Sequence, residues 1–347
     1  MKMLPETSRK PERARRPGTG GITLSDVAKL AGVSAITVSR ALNTPAAVSP
    51  DTLERVRSAI TRSGYVPNLM AGGLASNRSR LVAALVPTIA GIVFLETVQA
   101  LTDALAQAGY QVILGQSGYT GEREDALIDA IVGRRPDGIV LTGIMHSPEA
   151  RRRLLASGIP VVETWDITPT PIDMIVGFSH EKVGAQVADY LHGKGYRRPA
   201  MVVADDHRAM LRRTGFQQRS AALGLPDVPV CVVPAPSSLG SGRSGFADLQ
   251  ARCPGADVVF CSSDMIAHGV MTEAQARGMS MPEDVAVMGF GDLSFAAHTH
   301  PMLTTVHIDG TGMGSQAARF ILDRVEGRDV GLRVRDLGFS IVERASV

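Results

Sequence analysis

The residue types best suited to chemistry fall in two places along the chain. The first is Thr37, Ser39 and Arg40, close together in a short polar run. Hydroxyls hydrogen-bond phosphate oxygens and base edges, and an arginine fork matches guanine O6 and N7. Ala35 and Ile36, at the start of the same run, offer only apolar contact, for example with a thymine methyl group. The second place is a set of polar residues directly after apolar runs. Ser262-Ser263-Asp264 follows Val258–Cys261, and Gly289-Phe290-Gly291-Asp292 follows Val285–Met288. Open α/β sheets bind ligands at that end of their strands. Elsewhere the Ser, His and Asp residues show no nucleophile-elbow or metal-binding spacing. No catalytic site, metal or cofactor is expected.

The elements that must position these residues are legible from spacing. Thr23-x-x-Asp26 has the form of a capping box, and Leu24, Val27, Ala28 and Ala31 supply an apolar helix face. Gly32 makes the turn, and Ser34 caps a second helix that Asn43-Thr44-Pro45 ends. Ser49-Pro50 starts a third helix, with Leu53, Val56 and Ile60 at helical spacing and Gly64 as its stop. Two short helices about a glycine turn, the second with a polar face, form a helix-turn-helix whose second helix enters the major groove. From Leu81 the rhythm changes. Apolar runs at Leu81–Pro87, Gln111–Leu114, Gly138–Thr142, Ile159–Val162 and Met174–Phe178 alternate with helical stretches. The pattern resumes at Ala200–Ala204, Val230–Val233, Val258–Cys261 and Val285–Phe290. Such alternation predicts parallel, doubly wound sheets, and its extent favours two α/β subdomains over one wide sheet.

Charge divides the chain at the same place. The whole 347 residues carry a formal +2, which alone argues against a nucleic-acid partner. Residues 1–80, however, hold thirteen Lys or Arg and five Asp or Glu, a formal +8; the remainder holds twenty-three and twenty-nine, or −6. A small basic module beside a larger acidic one is the footprint of a nucleic-acid-binding head. Residues 1–20, rich in Pro, Arg and Gly, read as a disordered basic arm. The basic start lacks an apolar stretch, which predicts a cytoplasmic protein, and no apolar run is long enough to span a membrane. Cys231, Cys253 and Cys261 are widely spaced and are expected to stay reduced.

The string Ile22–Asn43, with Val48-Ser49 and Gly64-Tyr65-Val66-Pro67-Asn68, resembles the head of the Lac repressor family of bacterial transcription regulators. The resemblance extends over about residues 20–347. It implies an all-α helix-turn-helix head at 21–67 and a hinge helix at 68–79. It also implies a core at 80–347 made of two doubly wound parallel-sheet subdomains, of periplasmic-binding-protein-like type I fold. The subdomains would take 80–178 with 308–337, and 179–307 with 338–347. The DNA contacts implied are Thr23, Ser34, Ala35, Ile36, Thr37, Ser39, Arg40, Asn43 and Tyr65 in the head, and Asn68, Ala71 and Leu74 in the hinge. Leu74 falls where the family places its minor-groove wedge, and Ala71 where it places a small residue. Gly72-Gly73 departs from the usual pattern and predicts a hinge that folds only on DNA.

The resemblance also implies a small effector in the cleft between the core subdomains. Arg212 matches the family's effector-binding arginine, suited to clamp a carboxylate or vicinal hydroxyls; Arg208 and Arg213 beside it read as solvated. Phe94, Thr142, His146, Glu163, Trp165 and Asp166 match cleft positions after the first, third and fourth core strands, joining Ser263, Asp264, Phe290 and Asp292. The family's usual acidic residue falls on Gly291, so Asp292 substitutes from one position on or points elsewhere. Within the family the chain is most similar to gluconate-utilisation repressors, through Leu141-Thr142-Gly143, His146, Val161-Val162-Glu163, Val176-Gly177-Phe178, Asp292 and Asp336-Leu337-Gly338-Phe339. The expectation is a homodimeric repressor of palindromic operator DNA, controlled by gluconate or a related sugar acid. The alternative is a sugar-binding protein of a transport system, or an enzyme on the same fold. The head and the lack of paired catalytic groups weigh against it.

Overall fold

The computed structural model describes residues 21–66, 78–89, 91–119 and 121–347. The arm at 1–20 and the hinge positions Asn68, Ala71 and Leu74 lie outside the described residues. The chain parts into two compact units between residues 77 and 78.

Among its described residues the first unit holds three α-helices, α1 (Leu24–Ala31), α2 (Ala35–Asn43) and α3 (Pro50–Ser63). Each starts where a side chain satisfies a free backbone N–H. Thr23 and Asp26 cap α1 reciprocally, the Ser34 hydroxyl accepts from Thr37 N at 3.2 Å, and Ser49 does the same for Thr52. Gly32 takes a left-handed φ of 66°, which turns the chain from α1 into α2. The core between the helices is built of small residues, Val27, Ala28, Ala31, Val38, Ala41, Val56 and Ala59, so the helices approach closely.

The second unit carries two six-stranded sheets. The first, in spatial order β11-β5-β4-β3-β1-β2, uses β1 (Leu81–Val86), β2 (Gln111–Gln116), β3 (Gly138–Thr142), β4 (Val161–Thr164), β5 (Met174–Gly177) and β11 (Val334–Asp336). The second, β12-β10-β9-β8-β6-β7, uses β6 (Pro199–Ala204), β7 (Val230–Val233), β8 (Val258–Cys261), β9 (Ala286–Gly291), β10 (Thr304–His307) and β12 (Ser340–Val342). All pairings are parallel except β10 with β12. The chain crosses between sheets three times: after β5, after β10 and between β11 and β12. β10, β11 and β12 carry no strong sequence signal, because each is only three or four residues long and holds polar side chains. β4 begins two residues later than its apolar run, after Pro160, which has no N–H to give a ladder.

Helices α4 (Leu95–Gln107), α5 (Gly121–Val132), α6 (Pro148–Ser157) and α11 (Gly310–Val325) serve the first sheet. α7 (His180–Gly193), α8 (His207–Ala222), α9 (Leu239–Arg252) and α10 (Asp264–Ala276) serve the second. α7 and α8 meet backbone to backbone. A Cβ at Gly184 would lie 2.0 Å from the Arg212 carbonyl oxygen, and one at Gly215 would lie 2.1 Å from that of Glu181. Only glycine permits that approach, and it sets where α8 carries its arginines. No helix among the described residues is long and apolar enough to cross a membrane.

Candidate functional site

In the first unit, α2 turns Val38 and Ala41 inward, so the opposite face is left outward. Ile36, Ser39, Arg40 and Asn43 share that face at i, i+3, i+4 and i+7 spacing. Ile36 is 67% exposed, although its neighbours on the inner face are fully buried. Asn43 Nδ2 donates to Ser39 Oγ at 3.3 Å, and Arg40 is exposed with no ion pair among the described residues. Thr23 and Ser34 are engaged as caps, with Ser34 Oγ 2.9 Å from Thr37 Oγ1. Ala35 is half-buried, and Tyr65 packs its ring on the head core.

In the second unit, the C-terminal strand ends of the two sheets enclose a cavity of 70 Å³ over an aromatic floor. Phe94, Trp165, Phe178 and Phe290 follow one another with ring centroids 5.1, 6.0 and 6.2 Å apart. Trp165 has a φ of 63°, a left-handed conformation that is costly for a bulky residue. It is held there by its indole N–H donating to Thr97 Oγ1 at 3.1 Å and by its edge-on contacts with Phe94 and Phe178.

Arg212 sits over Phe290, its guanidinium carbon 3.9 Å from the ring centroid. Nη1 donates to His180 Nδ1 and Nη2 to the Ser262 carbonyl, each at 2.8 Å, while Nε is buried with no partner. Burial holds the pKa of this guanidinium down to about 10, with Asp206 opposing the effect and Arg208 reinforcing it. His180 is fixed in one tautomer. Its Nε2 faces the Trp165 carbonyl at 2.8 Å, which can only accept, so Nε2 carries the proton and Nδ1 accepts from Arg212. Burial, and then the Arg212 charge, keep the pKa of His180 well below its ordinary value, and so the ring is neutral. The relay Trp165–His180–Arg212–Ser262 therefore ties the first sheet to the second.

A second cavity of 330 Å³ adjoins the first, sharing Tyr119, Asp206 and Arg208 with it. Thr142, His146 and Asp166 line it. His146 has acceptors at both ring nitrogens, Glu124 at 3.2 Å from Nδ1 and the Gly143 carbonyl at 3.1 Å from Nε2. Burial disfavours its charge, but Glu124, with Glu163 and that carbonyl, outweighs it and raises the pKa. Asp166 Oδ1 accepts from Ile167 N at 2.8 Å and Oδ2 is buried without a partner; burial raises the pKa of this carboxyl. Buried unpaired polar atoms at a cavity wall are where a ligand gains most by binding. Among the described residues no cluster of three His, Cys, Asp or Glu side chains could hold a metal.

Residues 23–68 match the signature described as bacterial regulatory proteins, lacI family, and residues 188–347 match a periplasmic binding protein-like domain. The chain is 38% identical to the HTH-type transcriptional regulator GntR of Pseudomonas aeruginosa, over 94% of this chain and 96% of that protein. It is 32% identical to the HTH-type transcriptional regulator GntR of Escherichia coli K12, over 93% and 98%. The chain belongs to the LacI family. A LacI-family protein from Silicibacter pomeroyi of known crystal structure superposes with a TM-score of 0.88 at 32% identity, over 94% of this chain and 99% of that one. Like its LacI-family relatives, the protein is a DNA-binding transcriptional regulator of the repressor type with an effector-binding core, and not an enzyme.

Within this LacI-family core the structure brings Phe94, Trp165, Arg212, Ser263 and Phe290 to the first cavity and Thr142, His146 and Asp166 to the second. Three expected contacts line neither. Glu163 is fully buried behind His146 and accepts from Ile172 N at 2.6 Å. Asp264 is fully buried, with Oδ1 taken by the Thr305 hydroxyl at 2.6 Å and Oδ2 by Leu293 N at 2.7 Å. Asp292, at a φ of 50°, turns away to Arg344 at 2.7 Å and His307 at 3.1 Å. Arg208 departs from expectation in the opposite sense: its sequence context reads as solvated, yet it is half-buried and lines both cavities. Arg213 is half-buried and bonds Gln217 of its own helix. His180 and Tyr119 are cavity residues that sequence reasoning missed. His180 has one available signal, since it opens a helix directly after the Met174–Phe178 run.

Proposed function

We propose that this regulator acts as a homodimer on a palindromic operator, and that a sugar acid such as gluconate, bound in the core cleft, sets its operator affinity. One observation carries the effector class. Two guanidiniums, Arg208 and Arg212, stand on aromatic faces in the same cleft as the unpaired Asp166 oxygen and the Thr142 hydroxyl. Cations suit a carboxylate, and the remaining groups suit a chain of hydroxyls. The relatives bearing the name GntR support the same class. The dimer is supported by the edge strand β2, which leaves Ile113 and Leu114 more than 40% exposed on an unpaired sheet edge. On the operator, the α2 face of Ile36, Ser39, Arg40 and Asn43 would read one half-site in the major groove. An effector acts here by binding one state of the core better than the other.

The test is selection of an operator from a pool of random palindromic duplexes, followed by gel shift with gluconate, phosphogluconate and neutral sugars. A sugar acid that changes operator affinity, with neutral sugars inert, supports the reading. Operator binding that responds only to a neutral sugar overturns the effector class. Selection of no duplex overturns the whole reading.

A further inference from the structure

We propose that Arg208, rather than Arg212, takes the effector's carboxylate and so decides that the ligand is an acid. The inference rests on the sugar-acid reading above and assigns its specificity to one side chain.

Arg212 is ill placed for that task. Two of its five N–H groups are spent on His180 and Ser262, its guanidinium carbon sits over the Phe290 ring, and it is 4% exposed. It is a member of the relay that joins the two sheets, and moving it to meet a ligand breaks that relay. Arg208, one turn earlier on α8, shares the aromatic contact but not the hydrogen bonds. Among the described residues it forms no ion pair, and its guanidinium carbon stands 5.3 Å over the Phe94 ring centroid. It lines both cavities, at the seam between them. A carboxylate must shed water to enter the cleft, and it recovers most from a cation that has surrendered nothing to another partner.

The cavity sizes agree. The space over Arg212, 70 Å³, is the smaller of the two, and the adjoining 330 Å³ space gives a ligand more room. A ligand lying mainly in the larger cavity meets Asp166, Thr142 and His146 with its hydroxyls and Arg208 with its end. Arg208 also spans the cleft. Its backbone belongs to the second sheet's layer, while its Nη1 lies 3.1 Å from where a Cβ on Gly143 of the first sheet's layer would stand. An anion bound there pairs with a charge that both halves of the core touch.

Titration calorimetry on the full chain, with gluconate and D-glucitol, tests this. The two probes share a six-carbon hydroxyl chain and differ in the carboxylate. The wild-type protein is expected to prefer gluconate. Arg208→Gln should shrink that preference at least tenfold while leaving D-glucitol affinity within threefold, and Arg208→Lys should restore part of it. Arg212→Gln should weaken both probes by the same factor. An Arg208→Gln protein that keeps the gluconate preference, or loses both probes alike, overturns the inference while the sugar-acid reading stands. A wild-type protein that binds gluconate no better than D-glucitol overturns both.

Discussion

The head and the cleft use the same residue types in opposite ways. On α2, Arg40 and Ile36 are exposed, Arg40 without an ion pair among the described residues, held out by a helix whose other face is buried. In the cleft, Arg212 and His180 are almost wholly buried and hydrogen-bonded to one another before any ligand arrives. A duplex brings its own charge and wraps the reader, so the head needs only a rigid helix with a free face. A small effector cannot surround its receptor, so the cleft must be preorganised, and the packing that does this becomes part of the recognition. The difference predicts that cleft substitutions cost fold stability along with binding, whereas substitutions on the α2 face cost binding alone.

The largest expected effect is at Gly184. A methyl group there collides with the Arg212 backbone oxygen and forces α7 and α8 apart. Gly184→Ala should destabilise the core by about 3 kcal/mol or more in urea unfolding, while leaving the head's own unfolding unchanged. Equal stability of variant and parent would show that the helix contact does not set the arginines.

Next comes Asp264, which packs beneath the cleft without lining it. Burial pushes the pKa of its carboxyl up to about 6, against an ordinary value near 3.8. Between those values the folded protein holds a proton that the unfolded chain has released. The associated stability is therefore complete below pH 3.8 and is lost as pH rises through about 6. At about 1.4 kcal/mol for each pH unit between the two values, the loss amounts to about 3 kcal/mol. Asp264→Asn should flatten that slope when urea midpoints are measured from pH 4 to 7. An unchanged slope would assign the pH dependence to other groups. His146, whose pKa is also raised, contributes in the same direction at higher pH, its stability being lost above the ordinary histidine range.

These two residues show why the cleft is less legible than the head. The head is local: Thr23, Gly32, Ser34, Thr44, Ser49 and Gly64 mark every boundary of α1, α2 and α3 within a few residues of the helix concerned. The sheets are legible too, because β1, β3, β6, β8 and β9 are continuous apolar runs buried on both faces. The short β10, β11 and β12 are not, since three or four residues with polar side chains among them leave no apolar run to read. In the cleft, position after a strand says that a side chain is near the ligand end of the sheet, but not which way it faces. Asp264 and Asp292 both follow β-strands, and each turns to a partner 15 to 52 residues away, Thr305 and Leu293 in one case, His307 and Arg344 in the other. Arg208 reads as solvated for the same reason: the cavity it lines exists only once Phe94 and Gly143 are brought opposite it.

On the head side, Arg40→Ala should leave thermal stability within about 0.5 kcal/mol and weaken specific operator binding by about 1–3 kcal/mol. Gel shifts against the selected operator and its single-base variants tell base reading from phosphate contact. Loss confined to one base position marks the former, and equal loss on all duplexes the latter. A stability loss as large as the binding loss would erase the contrast between the two regions.

The smallest effect sharpens the contrast within the head itself. Ser34 stands at the edge of the reading face, yet its hydroxyl accepts from Thr37 N and meets Thr37 Oγ1. Ser34→Ala should therefore cost about 1 kcal/mol of head stability through the lost cap. Ser34→Asp separates capping from contact. An aspartate caps a helix as well as serine and favours its positive end, so the head should stay as stable as the parent. The same negative charge, set against a phosphate, weakens DNA binding if Ser34 faces the duplex. Operator affinity that falls for Ser34→Asp but hardly for Ser34→Ala places Ser34 at the DNA surface. Affinity that follows stability in both variants makes it a cap alone and narrows the reading face to Ile36, Ser39, Arg40 and Asn43.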